Sequence, residues 1–276
     1  MAIVIRTNIP SMQAQKNLQK SSAALNASFD RLSSGLRIVT AADDAAGLAI
    51  SESMSTQIRS FTIAERNAQD AVSMVQTAEG ALAEVHSIMG RLRELAMQAA
   101  NGSYTSTDRG FLDTEYQALK AEIGRIQQSA KFNGKELLAN DVSTIQFQIG
   151  LNNTSSDQLQ LSFGGVGLTA IVTSTNLIAG SSITAALAAL STIDQTLTVV
   201  STQRAKYGAT MNRLDITISS IETMRLNLSA ANSRIRDVDV ASETAALARN
   251  QVLSQAGVSV LSQANQIPQL ALNLLQ

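Results

Sequence analysis

The sequence predicts a mainly α protein. It should form an elongated antiparallel helical coiled-coil rod, folded back on itself, with a small β-hairpin insert and its N- and C-terminal helices paired at one end. Three observations predict this. Apolar residues repeat in sevens over two long stretches of the 276-residue chain. One segment between them alternates with period two. The last 26 residues, 251–276, carry no Asp, Glu, Lys or Arg, yet their apolar residues recur at helical spacings.

Composition bounds the rest. Hydrophobic residues make up 45% and aromatics only 3%, with no Trp. A core must come from Ala, Leu, Ile, Val and Met, which suits close helix–helix packing. The net charge of -1 gives no reason to expect nucleic acid or an acidic membrane as partner. The absence of Cys removes disulfides, thiolate catalysis and Cys-ligated metals. Met1 to Arg6 has a short apolar run but no basic region before it, so no secretory signal peptide is expected.

Pro10 suits the first turn of a helix, where its missing N–H costs nothing. Leu18, Leu25, Phe29, Leu32 and Leu36 then step as a heptad seam, until Ser33-Ser34-Gly35 breaks or bends the helix. Thr40-Ala-Ala-Asp43 resembles a capping box with Asp in place of Glu. Ala68, Val75, Leu82, Met89 and Ala96 repeat at sevens, each followed three residues later by Ala71, Ala78, Val85, Leu92 and Ala99. Alanine at so many seam positions implies a close partner helix. Asn101-Gly102 stops this helix. Ser106 to Asp108 can cap another, with Leu112, Tyr116, Leu119, Ile123 and Ile126 on one face, and Asn133-Gly134 is a turn.

Residues 139–181 form the expected β-rich insert. Ile145, Phe147 and Ile149 alternate with polar residues, as do Leu159, Leu161 and Phe163, and a polar loop lies between. Gly164-Gly165-Val-Gly167 leads to a second loose turn. Helix resumes at Ile183, with Ile193, Val200, Tyr207, Leu214, Ile221 and Leu228 at sevens. Leu190, Leu197, Met211 and Ile218 supply the other seam position, with Arg204 its one polar member.

Length argues for a rod. A compact domain of this size has a radius of gyration of ~19 Å, hence a diameter of roughly 50 Å. At ~1.5 Å per residue, Ile183–Asn232 alone would run ~75 Å. The order of segments is a palindrome, so the simplest closure folds the chain back at the insert. The charge-free end then needs neighbours on every side. Its Gln, Ser and Asn can be buried if each finds a hydrogen-bond partner. Alone, the terminal helices are expected to be loose, and their stable state should be an assembly.

The chain resembles bacterial flagellin along nearly its whole length. The carrying segments are Leu25-Asn-Ala-Ser-Phe-Asp-Arg-Leu-Ser-Ser-Gly-Leu-Arg-Ile38, Ala42-Asp-Asp-Ala-Ala-Gly-Leu-Ala-Ile50, Arg91-Leu-Arg-Glu-Leu-Ala-Met-Gln98, Phe132-Asn-Gly-Lys-Glu-Leu-Leu138 and Ser259-Val-Leu-Ser-Gln-Ala-Asn-Gln-Ile-Pro268. The large variable outer domains are missing. The resemblance implies a structural subunit that polymerises into the flagellar filament for swimming, exported by the flagellar type III route and located outside the cell. It implies a terminal helical domain at 1–44 and 236–276 lining the filament core, a helical rod domain at 45–138 and 182–235, and the 139–181 insert as part of the rod. Polymerisation residues expected on the terminal helices are Leu18, Leu25, Phe29, Leu32, Val252, Leu253, Val260, Leu261, Ile267 and Leu270. Partners implied are further copies of the chain, flagellar cap and hook–filament junction proteins, and an export chaperone. The vertebrate receptor TLR5 is implied through Arg91, Leu95, Gln98 and Glu115, although Leu95 also lies near the heptad seam.

No catalytic, cofactor or metal site is spelled out. His86 has no neighbouring His or Cys, and Asp43-Asp44 suits a helix start. The Gly164–Gly167 run lacks the Lys and the following helix of a phosphate loop. Thr154, Ser155 and Ser156 are candidate glycosylation sites in the insert loop. The competing functions are a hook–filament junction protein, which the even match through both rod halves disfavours, and a membrane-inserting amphipathic protein. The latter needs basic polar faces with aromatic anchors, which 251–276 lacks. Switching between filament forms is expected to use alternative packings of the insert and the seams, including Arg204 and Gly208.

Overall fold

The computed structural model describes residues 7–173, 178 and 183–273, with side chains through Gln266 at the C-terminal end. In chain order the elements are α1 (Ile9–Ser34), α2 (Ala45–Ala99), α3 (Ser106–Ser129), the short strands β1 (Lys131–Phe132) and β2 (Lys135–Glu136), β3 (Ser143–Gln148), β4 (Gln158–Phe163), a single helical turn α4 (Thr169–Val172), α5 (Ile183–Arg236) and α6 (Val240–Asn273). A 3-10 turn, Ser155–Asp157, precedes β4. The chain divides into two compact units, Met1–Ile58 with Leu226–Gln276, and Arg59–Arg225.

The Arg59–Arg225 unit is built on the heptad repeats. All ten α2 seam residues, from Ala68 to Ala99, are 0% exposed. Opposite them, Ile193, Val200 and Leu214 of α5 are also fully buried, with Tyr207 and Ile221 nearly so. Ion pairs give the direction: Arg93 meets Asp194 at 2.7 Å, Arg204 meets Glu79 at 2.7 Å, and Arg225 meets Glu65 at 3.5 Å. Numbers fall along α2 as they rise along α5, so the two helices are antiparallel. Arg204 places its guanidinium at the seam edge, half-buried and giving two hydrogen bonds to Glu79 Oε1. The polar member of the seam therefore buries no unpaired charge.

α5 carries many Thr residues, which favour strands over long helices. The exposed hydroxyls of Thr192, Thr198, Thr202 and Thr223 each donate to the carbonyl four residues back, so the side chain satisfies itself within the helix. α5 also contains an 18-residue window of mean hydropathy 1.4, apolar and long enough by composition to cross a membrane. Its seam residues pack into the α2 core instead.

Thr105 caps α3, one residue before the expected start. Its hydroxyl accepts from the Asp108 N–H, and the Asp108 carboxylate accepts from the Thr105 N–H and hydroxyl. Tyr116 and Ile123 are buried, and Leu112, Leu119 and Ile126 pack beside them. At the expected turn, Asn133 (φ 47°) and Gly134 (φ 78°) both take the left-handed conformation that a two-residue hairpin turn of primed type requires. The turn joins β1 to β2, so β structure begins at Lys131, ahead of the expected insert.

β3 and β4 pair antiparallel with Ile145 opposite Leu161 and Phe147 opposite Leu159, the expected hairpin. Alternation buries Leu159, Leu161 and Phe163, and the Phe163 ring meets the Tyr207 ring at 5.7 Å. Asn67 of α2 donates to the Gln148 carbonyl and Gln203 of α5 to the Ser162 carbonyl, fastening the hairpin to both long helices. Beyond Gly167 the chain makes the α4 turn, and residues 174–177 and 179–182 lie outside the described residues.

The Thr40–Asp43 segment differs from the expected capping box. The Asp43 carboxylate does accept from the Thr40 N–H and hydroxyl, but this closes a loop turn. The α2 start is capped by Asp44, whose carboxylate accepts from the Gly47 N–H. Two adjacent aspartates offered two registers, and the helix took the second.

Truncating Leu82 to Ala should destabilise the chain by about 2–5 kcal/mol, because a fully buried seam residue leaves a cavity. Val199→Ala, on an exposed side of α5, should cost about 0.5 kcal/mol or less. Urea unfolding of the two variants followed by circular dichroism checks the contrast.

Candidate assembly faces and surface sites

α1 begins with Asn8, whose side chain accepts from the Ser11 N–H, and Pro10 occupies the second helical position. It ends at Gly35, which takes φ 72° to close the helix. The segment beyond is tied to the end of α5: Arg37 N–H donates to the Arg236 carbonyl at 2.6 Å, and Val238 N–H to the Gly35 carbonyl at 3.0 Å. The Asp239 carboxylate then accepts from the Ala241 and Ser242 N–H groups and starts α6. These turns return α6 along α1. Arg31 lies 3.9 Å from Glu243 near one end, and Asn8 Nδ2 donates to the Ala264 carbonyl at the other.

The residues at this contact alternate by three and four. On α1 they are Ser11, Ala14, Leu18, Ser21, Leu25, Ser28 and Leu32, all buried or half-buried. On α6 they are Glu243, Leu247, Asn250, Ser254, Gly257, Leu261 and Ala264. Every other α1 position is small, and so are Ser254, Gly257 and Ala264. At Gly257 an added Cβ would stand 3.3 Å from the Leu18 side chain, so the helices approach closely there. The Ser11 hydroxyl reaches Asn265 Oδ1 at 2.7 Å.

This arrangement divides the expected polymerisation residues. Leu18, Leu25, Leu32 and Leu261 sit in the intramolecular contact. Phe29 (53% exposed), Val252 (64%), Leu253 (50%) and Val260 (55%) point away from it. Ile267 and Leu270 lie where side chains are outside the description. The sequence reading of α1 placed Phe29 in the seam and overlooked Ser11, Ala14, Ser21 and Ser28; serine at alternate seam positions hid the period. Ile9, Met12 and Val258 add to the outward apolar surface.

On the other unit, Arg91 forms a side-by-side pair with Glu115, Nε to Oε1 at 2.8 Å and Nη2 to Oε2 at 3.2 Å, and also reaches Glu94 at 3.0 Å. Gln98 is exposed and donates to the Tyr104 hydroxyl. Leu95 differs: it is 1% exposed and belongs to the core. Thr154, Ser155 and Ser156 are exposed on the β3–β4 loop, whose base is fixed by Ile149 and Gly150 N–H groups donating to the Asp157 carbonyl. Among the described residues no group of three or more His, Asp or Glu could hold a metal ion.

Paired helices that bury one stripe between them and leave Phe29, Val252, Leu253 and Val260 exposed on other sides define a self-associating structural subunit. The chain belongs to the bacterial flagellin family. Residues 5–143 match the bacterial flagellin N-terminal helical region, and residues 190–275 match the C-terminal helical region. The chain is 44% identical to flagellin of Halalkalibacterium halodurans over 274 residues, covering 99% of this chain and all of that one. Among solved structures, the crystal structure of Bacillus cereus flagellin is 33% identical, with a TM-score of 0.50, covering 60% of this chain and 94% of that one. A putative flagellar hook-associated protein from Vibrio parahaemolyticus shares the fold alone, at 14% identity and TM-score 0.58 over 71% of this chain and all of that one. The chain is thus a structural subunit that polymerises with its own copies into the bacterial flagellar filament.

The Arg91 hydrogen bonds hold the Glu115 carboxyl below the usual carboxylate range. A depressed folded value means the pair contributes above the unfolded pKa of Glu, near 4.5, and is lost as pH falls through the folded value. Carboxyl NMR titration should show Glu115 titrating below a free Glu, and Arg91→Gln should return it upward.

Proposed function

We propose that the outward apolar surfaces of α1 and α6 are the faces buried by neighbouring subunits in the filament. The single observation that carries this is the set of large apolar side chains left exposed on the pair, Phe29, Val252, Leu253 and Val260, while Leu18, Leu25, Leu32 and Leu261 are taken up in the contact between the helices. Large apolar side chains left exposed together on one helix pair mark an interaction site. In this reading residues 1–44 and 236–276 line the filament core, 45–138 and 182–235 form the rod around it, and 139–181 is the rod's insert. Repeated contact between two different faces gives an open helical polymer.

Export by the flagellar type III route, secretion and the absence of enzymatic activity follow from the same reading. An export chaperone covers the apolar faces before assembly, and cap and hook–filament junction proteins meet them at the filament ends. Free monomer engages TLR5 through Arg91, Gln98 and Glu115, with Leu95 supporting them from the core. Thr154, Ser155 and Ser156 accept glycan, their loop being exposed and remote in sequence from the assembly helices. Alternative packings at the insert and at Arg204 and Gly208 supply the switch between filament forms.

Negative-stain microscopy of the full chain beside a variant ending at Asn250 tests the assembly claim. Long filaments are expected from the full chain after seeding or salting, and none from the shortened one; filaments from both would refute a role for the α6 face. Gly257→Leu should also abolish assembly by forcing α6 away from Leu18. In a receptor reporter assay, soluble monomer is expected to signal and Arg91→Ala to lose most of that signal; an unchanged response removes the receptor reading.

A further inference from the structure

The Arg59–Arg225 unit carries an apolar groove and, far from it, an apolar projection. The groove, of about 490 Å³, opens between α2, the β3–β4 loop and α5. Its apolar lining is Phe61, Ile149, Leu151, Ile216, Ile221 and Met224. Ile216 is 71% exposed and Met224 48%, so the floor is buried and the lip is open to water. Asn152, Ser156 and Ser220 form a polar rim, and the Asp157 carboxylate already accepts from the Asn152 N–H. The volume falls within the range of about 300–1,000 Å³ typical of ligand-taking pockets.

The projection is Phe111 on α3. At 73% exposed, it is the most exposed large apolar side chain among the described residues. Its inward neighbours Arg109, Asp113 and Tyr116 are buried, so helical phase turns Phe111 outward. One turn later on the same face stands Glu115, held by Arg91. That ion pair and the hydrogen bond from Arg109 to the Asn101 carbonyl set Phe111 level with the last turns of α2. Phe61 lies about 35 residues back along the same continuous helix, hence ~50 Å away.

We propose that Phe111 of one subunit seats in the Phe61–Leu151–Ile216–Met224 groove of the next, stacking the Arg59–Arg225 units head to tail. The proposal rests on the filament reading: a polymer that does not close must join two unlike faces of one chain. Groove and projection are unlike in shape and alike in chemistry, and sit at opposite ends of the two long helices. An aromatic anchor entering an apolar pocket with a polar rim is the usual anatomy of an interface hot spot. No other chain is needed to supply either half, which favours a second copy over a foreign partner.

The chain has no cysteine, so introduced thiols report without background. Filaments of the double variant Thr114→Cys, Ser220→Cys, which keeps Phe111 and places one thiol a turn beyond it, treated with a short bis-maleimide, should give a ladder of covalent dimers, trimers and higher oligomers on a denaturing gel. Either single variant should give none beyond dimer. Both positions are exposed, so the fold should survive. In parallel, Phe111→Ala should raise the critical concentration for polymerisation about tenfold or more. Filaments from the double variant with no ladder, or an unchanged critical concentration for Phe111→Ala, overturn the head-to-tail contact and leave the filament reading standing. Failure of the unaltered chain to polymerise at all would instead overturn the filament reading, and this proposal with it.

Discussion

Much of this chain's behaviour depends on how closely α1 and α6 approach. Ser11, Ala14, Ser21 and Ser28 on one helix and Ser254, Gly257 and Ala264 on the other keep the contact thin. Leu18, Leu25, Leu32 and Leu261 supply apolar area to that contact, and burial of apolar area is the main favourable term in folding at about 25 cal/mol per Å². Phe29, Val252, Leu253 and Val260 are left exposed, where further protein can cover them. Stability of these ends is consequently tied to concentration and to assembly, as for any state that gains free energy from a partner.

The Arg59–Arg225 unit uses a similar alphabet to the opposite end. Here Leu82, Val85, Met89 and Leu92 accompany the alanines, and all are buried. The β3–β4 hairpin adds Phe163 against Tyr207, an aromatic pair within this core. The ion pairs along the α2–α5 edges are partly exposed and individually worth little. Their use is in register: Glu65, Glu79 and Asp194 each meet one arginine, and sliding either helix by a turn separates all three pairs.

Family membership agrees with this division of labour. Matches to both flagellin helical regions cover the segments that pair in each unit. The insert is short, and Thr154–Ser156 stand exposed on its loop. Its surface features have accordingly to be found on the helices themselves, in the Arg91–Glu115 pair and in Phe111.

The heptads of α2 and α5, the β3–β4 hairpin, the break at Gly35 and the resumption of helix at Ile183 were all legible from spacing, because periodicity and turn chemistry are local properties. So was the unusual lack of charge in 251–276, a stretch in which Val252, Leu253, Val258 and Val260 stand exposed. Three features were not legible. Asp44 rather than Thr40 and Asp43 caps α2, because two adjacent aspartates satisfy the same pattern and only the chain path chooses. The full burial of Leu95 was signalled only by its place near the heptad seam, because its α2 face is covered by residues distant in sequence. Above all, the faces of α1 and α6 that meet each other could not be chosen from sequence. An uncharged helix with apolar residues on several sides has no single amphipathic direction. The contact took a stripe in which Ser11, Ala14, Ser254, Gly257 and Ala264 alternate with leucines, the helices approach closely at Gly257, and the contact joins residues some 250 positions apart. Sequence determined what these helices are and that they need company; tertiary structure decided which faces are already taken and which remain open.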